Sequence, residues 1–71
     1  MNYWYVSFKV VIRHRQKRRE LLKDARVETS SSILPISDLM DEMLKKYDEV
    51  YILFACKANN EDHQSDHAFS I

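Results

Sequence analysis

From Asn2 to Arg13 the chain alternates, with Trp4, Val6, Phe8, Val10 and Ile12 at every even position from 4 to 12. Successive side chains of an extended backbone point to opposite sides, so this alternation predicts a strand with one wholly apolar face. The odd positions, Tyr3, Tyr5, Ser7, Lys9, Val11 and Arg13, make an amphipathic opposite face, the pattern of an antiparallel strand with one side in a core. Tyr3 and Tyr5 either cover this outer face or belong to a contact surface.

The next stretch, residues 13–20, is RHRQKRRE, eight polar residues that can add nothing to a core. Its composition favours helix, whereas the lack of any apolar residue over two and a half turns favours a long hairpin loop. Beyond it Ala25, Val27 and Thr29 alternate with Asp24, Arg26 and Glu28, a second strand that would pair antiparallel with the first. The rival to that hairpin is a helix through Leu21, Leu22 and Ala25. Ser30 to Pro35 reads as a connection. Ile36, Leu39, Met40, Met43, Leu44 and Tyr47 then recur at helical spacing and predict an amphipathic helix. Ser37 is placed to cap its first turn, with Asp38, Asp41 and Glu42 toward its positive end and Lys45 and Lys46 toward its negative end.

Val50 to Cys56 is an unbroken apolar run of strand formers, which predicts either a central strand or one whose second face is covered from outside the fold unit. The polar tail, residues 57–71, ends in His67, Ala68, Phe69, Ser70 and Ile71. After a turn at Asn59 and Asn60 this end would form a short strand beside the third, or a loosely held terminus. The predicted fold class is α+β: one domain, a small antiparallel β-sheet with one amphipathic helix packed on the even face of the first strand, in the order ββαβ(β).

Composition changes this picture in three ways. Seventy-one residues support one modest core, and a single Cys56 cannot close an internal disulfide. Self-association is therefore expected, as a homodimer through the helix-free face or a sheet edge. The lone cysteine, the lack of a secretory pattern and the shortness of every apolar run point to a soluble, cytoplasmic chain with no membrane segment. Glycine is absent, so tight two-residue hairpin turns are expected only at Asn59 and Asn60.

Charge is balanced overall but divided along the chain. Residues 1–26 carry eight cations against Glu20 and Asp24, net +6; residues 27–71 carry three against nine acids, net −6. The basic run Arg13, Arg15, Lys17, Arg18 and Arg19, with Lys9, Tyr3 and Tyr5 leading into it, is the candidate partner-binding surface. Such a run contacts another protein, binds nucleic-acid phosphates through counterion release, or stays solvated. His63 and His67 are spaced for a shared metal only on a helix, which the tail does not resemble, and Cys56 reads as an inert strand residue. A phosphate-binding loop needs glycine. No cofactor, metal or catalytic residue is assigned, and the expected function is that of a non-enzymatic binding or regulatory protein.

Tyr3 to Val11, Val27-Glu28-Thr29, Ile36-Ser37-Asp38-Leu39 and Val50 to Phe54 resemble the pattern of small ββαβ proteins encoded by phages and bacterial mobile elements. Where those proteins commonly carry glycine in the hairpin, this chain has RHRQKRR. The resemblance implies a small accessory protein and carries over no catalytic residues.

Overall fold

A computed structural model describes residues 1–58 and 65–71. Among these the chain forms β1 (Asn2–His14), β2 (Lys17–Thr29), α1 (Ile36–Leu44), β3 (Glu49–Ala58) and β4 (His67–Ser70). The strands make one sheet in the order β3-β1-β2-β4. The fold is α+β, with the helix on one face of the sheet.

The alternation of β1 is realised at its centre, while Trp4 and Ile12 toward its ends are only partly buried. Val6, Phe8 and Val10 are fully buried, and they pack with Leu39 and Met43 of α1, Ala25 and Val27 of β2, Val50 of β3 and Phe69 of β4. The ladder explains this grouping. Val6 lies opposite Ala25 on one side and Ala55 on the other, Val10 opposite Leu21 and Val50, so each rung delivers apolar side chains to the helix side. Burying a side chain such as Phe8 or Leu39 is worth about 1.5–3 kcal/mol.

Several expectations are corrected. The sheet is mixed rather than antiparallel: β4 runs parallel to β2 and pairs with it, from Ala25 opposite His67 to Glu28 opposite Ser70, and does not lie beside β3. Both β3 and β4 run in the direction of β2, so no tight turn could join them as neighbours. The expected turn at Asn59 and Asn60 lies outside the described residues. The apolar β3 is an edge strand, not a central one. Its two apolar faces arise because a bulge between Ser7 and Phe8 shifts its phase: Ile52 and Ala55 face the helix, while Tyr51 and Phe54 face away.

The basic segment 13–20 is mostly ladder, with pairing to His14 opposite Lys17. Only Arg15 and Gln16 turn the chain, and Arg15 takes the positive φ of 59° that glycine would normally supply. This also corrects the expectation that such a turn would be confined to Asn59 and Asn60. The helix ends at Leu44, its N-cap position is Pro35, and no side chain caps it, so Ser37 does not act as the cap. Leu39 and Met43 are buried, but Ile36 and Leu44 at the flanks of the expected stripe are 44% and 46% exposed. A nine-residue helix meets a strand through about two turns, and only the centre of a stripe reaches the core.

The Ser-rich connection is held by local bonds. Ser31 N–H donates to Thr29 Oγ1 at 3.2 Å, Ile33 N–H to Ser31 Oγ at 3.2 Å, and Asn2 Nδ2 to the Ser31 carbonyl at 2.9 Å. Such hydroxyl turns replace the bonds that a regular element would have made.

No described helix is long and apolar enough to cross a membrane. The nine residues of α1 span about 14 Å at 1.5 Å per residue, against a hydrocarbon core of about 30 Å.

Candidate functional site: a basic ribbon and an open sheet face

Pairing between β1 and β3 stops at Val11 opposite Glu49, whereas β1 and β2 continue to His14 opposite Lys17. The last rungs of the hairpin therefore stand beyond the rest of the sheet as a two-stranded ribbon. The molecule is correspondingly long, 42 × 21 × 16 Å. All residues from 13 to 20 are exposed.

Positive charge is concentrated on this ribbon in an arrangement that folding alone disfavours. Arg13 lies directly opposite Arg18, and His14 opposite Lys17. The like charges of Arg13 and Arg18 repel, at a cost of a few tenths of a kcal/mol to about 1 kcal/mol. Part of the charge is answered from within the chain. Arg13 is bonded to Glu49, Arg18 lies 3.1 Å from Glu20, and Lys9 lies 3.3 Å from the same Glu20. Bonds from Lys9 and then Arg18 hold the Glu20 carboxyl below its ordinary range. No described acid pairs with Arg15, Lys17 or Arg19. His14, Arg15, Gln16 and Lys17 line a hollow at the tip.

The helix-free face continues from the ribbon. Its rungs read Glu20, Val11 and Glu49; then Leu22, Lys9 and Tyr51; then Asp24, Ser7 and Phe54; then Arg26, Tyr5 and Cys56; then Glu28, Tyr3 and Ala58. Val11, on this face opposite the core, is fully buried. Its flanks are the ion pairs of Lys9, Arg13, Arg18 and Glu20 and the bond from the Tyr51 hydroxyl to Glu49. That bond to Glu49 raises the pKa of the Tyr51 hydroxyl. Lys9 Nζ stands 5.0 Å from the centre of the Tyr51 ring, a cation over an aromatic face.

Tyr3 and Tyr5 are half-buried on the same face but far from the ribbon. At about 3.3 Å per strand residue, Tyr5 is about 26 Å from Arg13. The Tyr5 hydroxyl donates to Asp24 at 3.2 Å, and partial burial followed by that carboxylate raises its pKa. Of the sequence-predicted set, Arg13, Arg15, Lys17, Arg18 and Arg19 come together on the ribbon, Lys9 stands midway, and the two tyrosines lie apart. Leu22 and Phe54, outside the sequence-predicted set, are 73% and 56% exposed; the signal for Phe54 was the unbroken apolar run of β3.

The His67 ring lies against Phe8, Tyr47 and Phe69, with centroid separations of 6.2, 5.8 and 5.9 Å, and its Nε2 is bonded to the Tyr47 hydroxyl. His63 is outside the described residues. Among the described residues no three His, Cys, Asp or Glu side chains converge as a metal site would require. Compared with protein-family models, with curated proteins and with solved structures, the chain matches none of them.

Proposed function

We propose that this is a non-enzymatic binding protein that regulates another protein by occupying an acidic surface of it, with the basic ribbon as the primary contact and the open sheet face as the secondary one. The observation that carries this reading is the concentration of unanswered cations at the ribbon tip. Arg15 occupies a left-handed turn position that a side chain makes costly, and Lys17 and Arg19 sit beside it with no described acid in reach. Strain and like-charge crowding kept at an exposed tip are characteristic of a contact surface. Arginine there offers bidentate bonds to carboxylates. Leu22, Tyr51 and Phe54, on the face that the ladder shares with Arg13 and Arg18 rather than with Lys17 and Arg19, add apolar area that a protein partner can bury.

The experiment compares wild type with Arg15→Glu/Lys17→Glu/Arg19→Glu in capture and titration of partners from the source cell. The triple variant is expected to bind at least about tenfold more weakly, and the wild-type affinity to fall with salt. Equal affinity for the same partner would overturn the reading.

One observation favours a second reading: a projecting two-stranded ribbon has the dimensions that a DNA major groove admits. Three free cations on phosphates predict a log–log salt slope of about −2.7 in fluorescence anisotropy with duplex DNA. The acids Glu20, Asp24 and Glu49 on the open face would confine such contact to the tip. Absence of binding to DNA and RNA at low salt removes this alternative.

A further inference from the structure

The outer edge of β3 lacks the charges and prolines that keep a strand edge from pairing, and the one such device it carries is the bulge at Leu53. From Val50 to Cys56 it contains no charge and no proline, and Tyr51, Leu53 and Phe54 are 45%, 55% and 56% exposed. Long apolar edges of this kind are templates for another strand. The opposite side of the sheet is guarded: the part of β2 beyond β4 presents Lys17, Arg18, Arg19 and Glu20, and β4 itself is four residues long.

We propose that the occupant of the β3 edge is β3 of a second copy, paired antiparallel about a two-fold axis between Ile52 and Leu53. The bulge selects the register. Residues facing each other in an antiparallel pair must share a sheet face. Because the phase of β3 shifts at Leu53, this holds only when the paired residue numbers add to an odd total. A total of 105 sets Tyr51 against Phe54 of the partner subunit on the open face and Val50 against Ala55 of the partner subunit on the helix face. The same register sets Lys57 against Asp48 of the partner subunit. Lys57 and Asp48 are both exposed, and no described salt bridge involves either. A shift by two in either direction places Lys57 over Val50 or Glu49 over Phe54. The complementarity of charge, aromatic pairs and phase thus picks out one register, which a generic foreign strand would not reproduce.

The result is a continuous eight-stranded sheet with both helices on one side. The two open faces merge, and the basic ribbons point away from each other at opposite ends. The partner-binding reading does not depend on this pairing, since the ribbons stay free in one copy or two.

Sedimentation equilibrium over roughly 1 µM to 1 mM, the range that brackets a small edge contact, should show the mass rise from 8.5 kDa to twice that value. Leu53→Lys places a charge at the two-fold and should weaken association at least about tenfold, while its circular dichroism melt shows a folded monomer. For the register, Glu49→Cys brings a thiol opposite Cys56 of the partner subunit. Oxidised glutathione should then link the two chains, each bridge reducing one glutathione disulfide to two thiols, and Glu49→Cys/Cys56→Ser should not cross-link. A mass of 8.5 kDa at every concentration would overturn the proposal. So would a dimer that Leu53→Lys leaves intact and that Glu49→Cys fails to cross-link, because such a dimer uses another surface.

Discussion

Arg15 and His67 each hold a position that their residue type does not favour. A non-glycine residue in the left-handed region costs roughly 1 kcal/mol, and asparagine tolerates it better than arginine. Arg15→Asn should therefore raise stability by up to about 1 kcal/mol in denaturant unfolding, while the tip loses one cation. A gain in stability together with a loss of binding would be the signature of a turn residue kept for contact. His67 is pushed below its ordinary value of 6.5, first by burial beside Phe8, Tyr47 and Phe69 and then by Lys46. A depressed histidine pKa means that the unfolded chain takes up the proton more readily. The contribution of neutral His67 is therefore present above pH 6.5 and is lost as pH falls through the lower folded value. Unfolding curves between pH 7.5 and 5.5 should show stability falling with acid more steeply in wild type than in His67→Gln; parallel curves would refute this.

The helix is the element where pattern and structure part most clearly. Its centre, Leu39 and Met43, was legible from spacing, because only a helix puts the i, i+3, i+4, i+7 set of Ile36, Leu39, Met40 and Met43 on one side. Its start was not. Ser37 has the right residue type for a cap, but the helix begins one residue after Pro35 and the Ser37 side chain makes no capping bond. Ser37→Ala should then change stability by less than about 0.5 kcal/mol, where loss of a true cap costs about 1 kcal/mol. The β1–β2 hairpin was legible from its two alternations, but the length of its ladder was not, because the basic segment pairs through backbone groups that every residue carries. Its side chains gave no periodicity from which to read a strand. The cations gathered on the ribbon were visible as a run, and the register of the hairpin then decided which stand opposed.

At the scale of the whole molecule the terminal strand closes the core. Phe69 is packed into the main cluster, Lys46 Nζ stands 5.5 Å from the centre of its ring, and Ile71 N–H donates to the Glu28 carbonyl at 2.9 Å. Asp24 and Asp66 bind each other's backbone, with Asp66 N–H donating to the Asp24 carboxylate at 2.8 Å and Asp24 N–H to the Asp66 carboxylate at 3.2 Å. A terminus held this way is structural. Phe69→Ala should cost about 3 kcal/mol or more in chemical denaturation. A loss below about 1 kcal/mol would mean that β4 is peripheral.

Local periodicity determined the apolar face of β1, the centre of α1 and the strand character of β3, because alternation and helical spacing are properties of neighbouring residues. It also determined that positive charge would collect in one segment. Only the tertiary structure decided that β3 is an edge and that β4 lies parallel beside β2, because both depend on which strands meet across the sheet and in which direction. The bulge opposite Ser7 and Phe8 likewise appears only when β1 and β3 pair, and it places both Tyr51 and Phe54 of the apolar run on the open face.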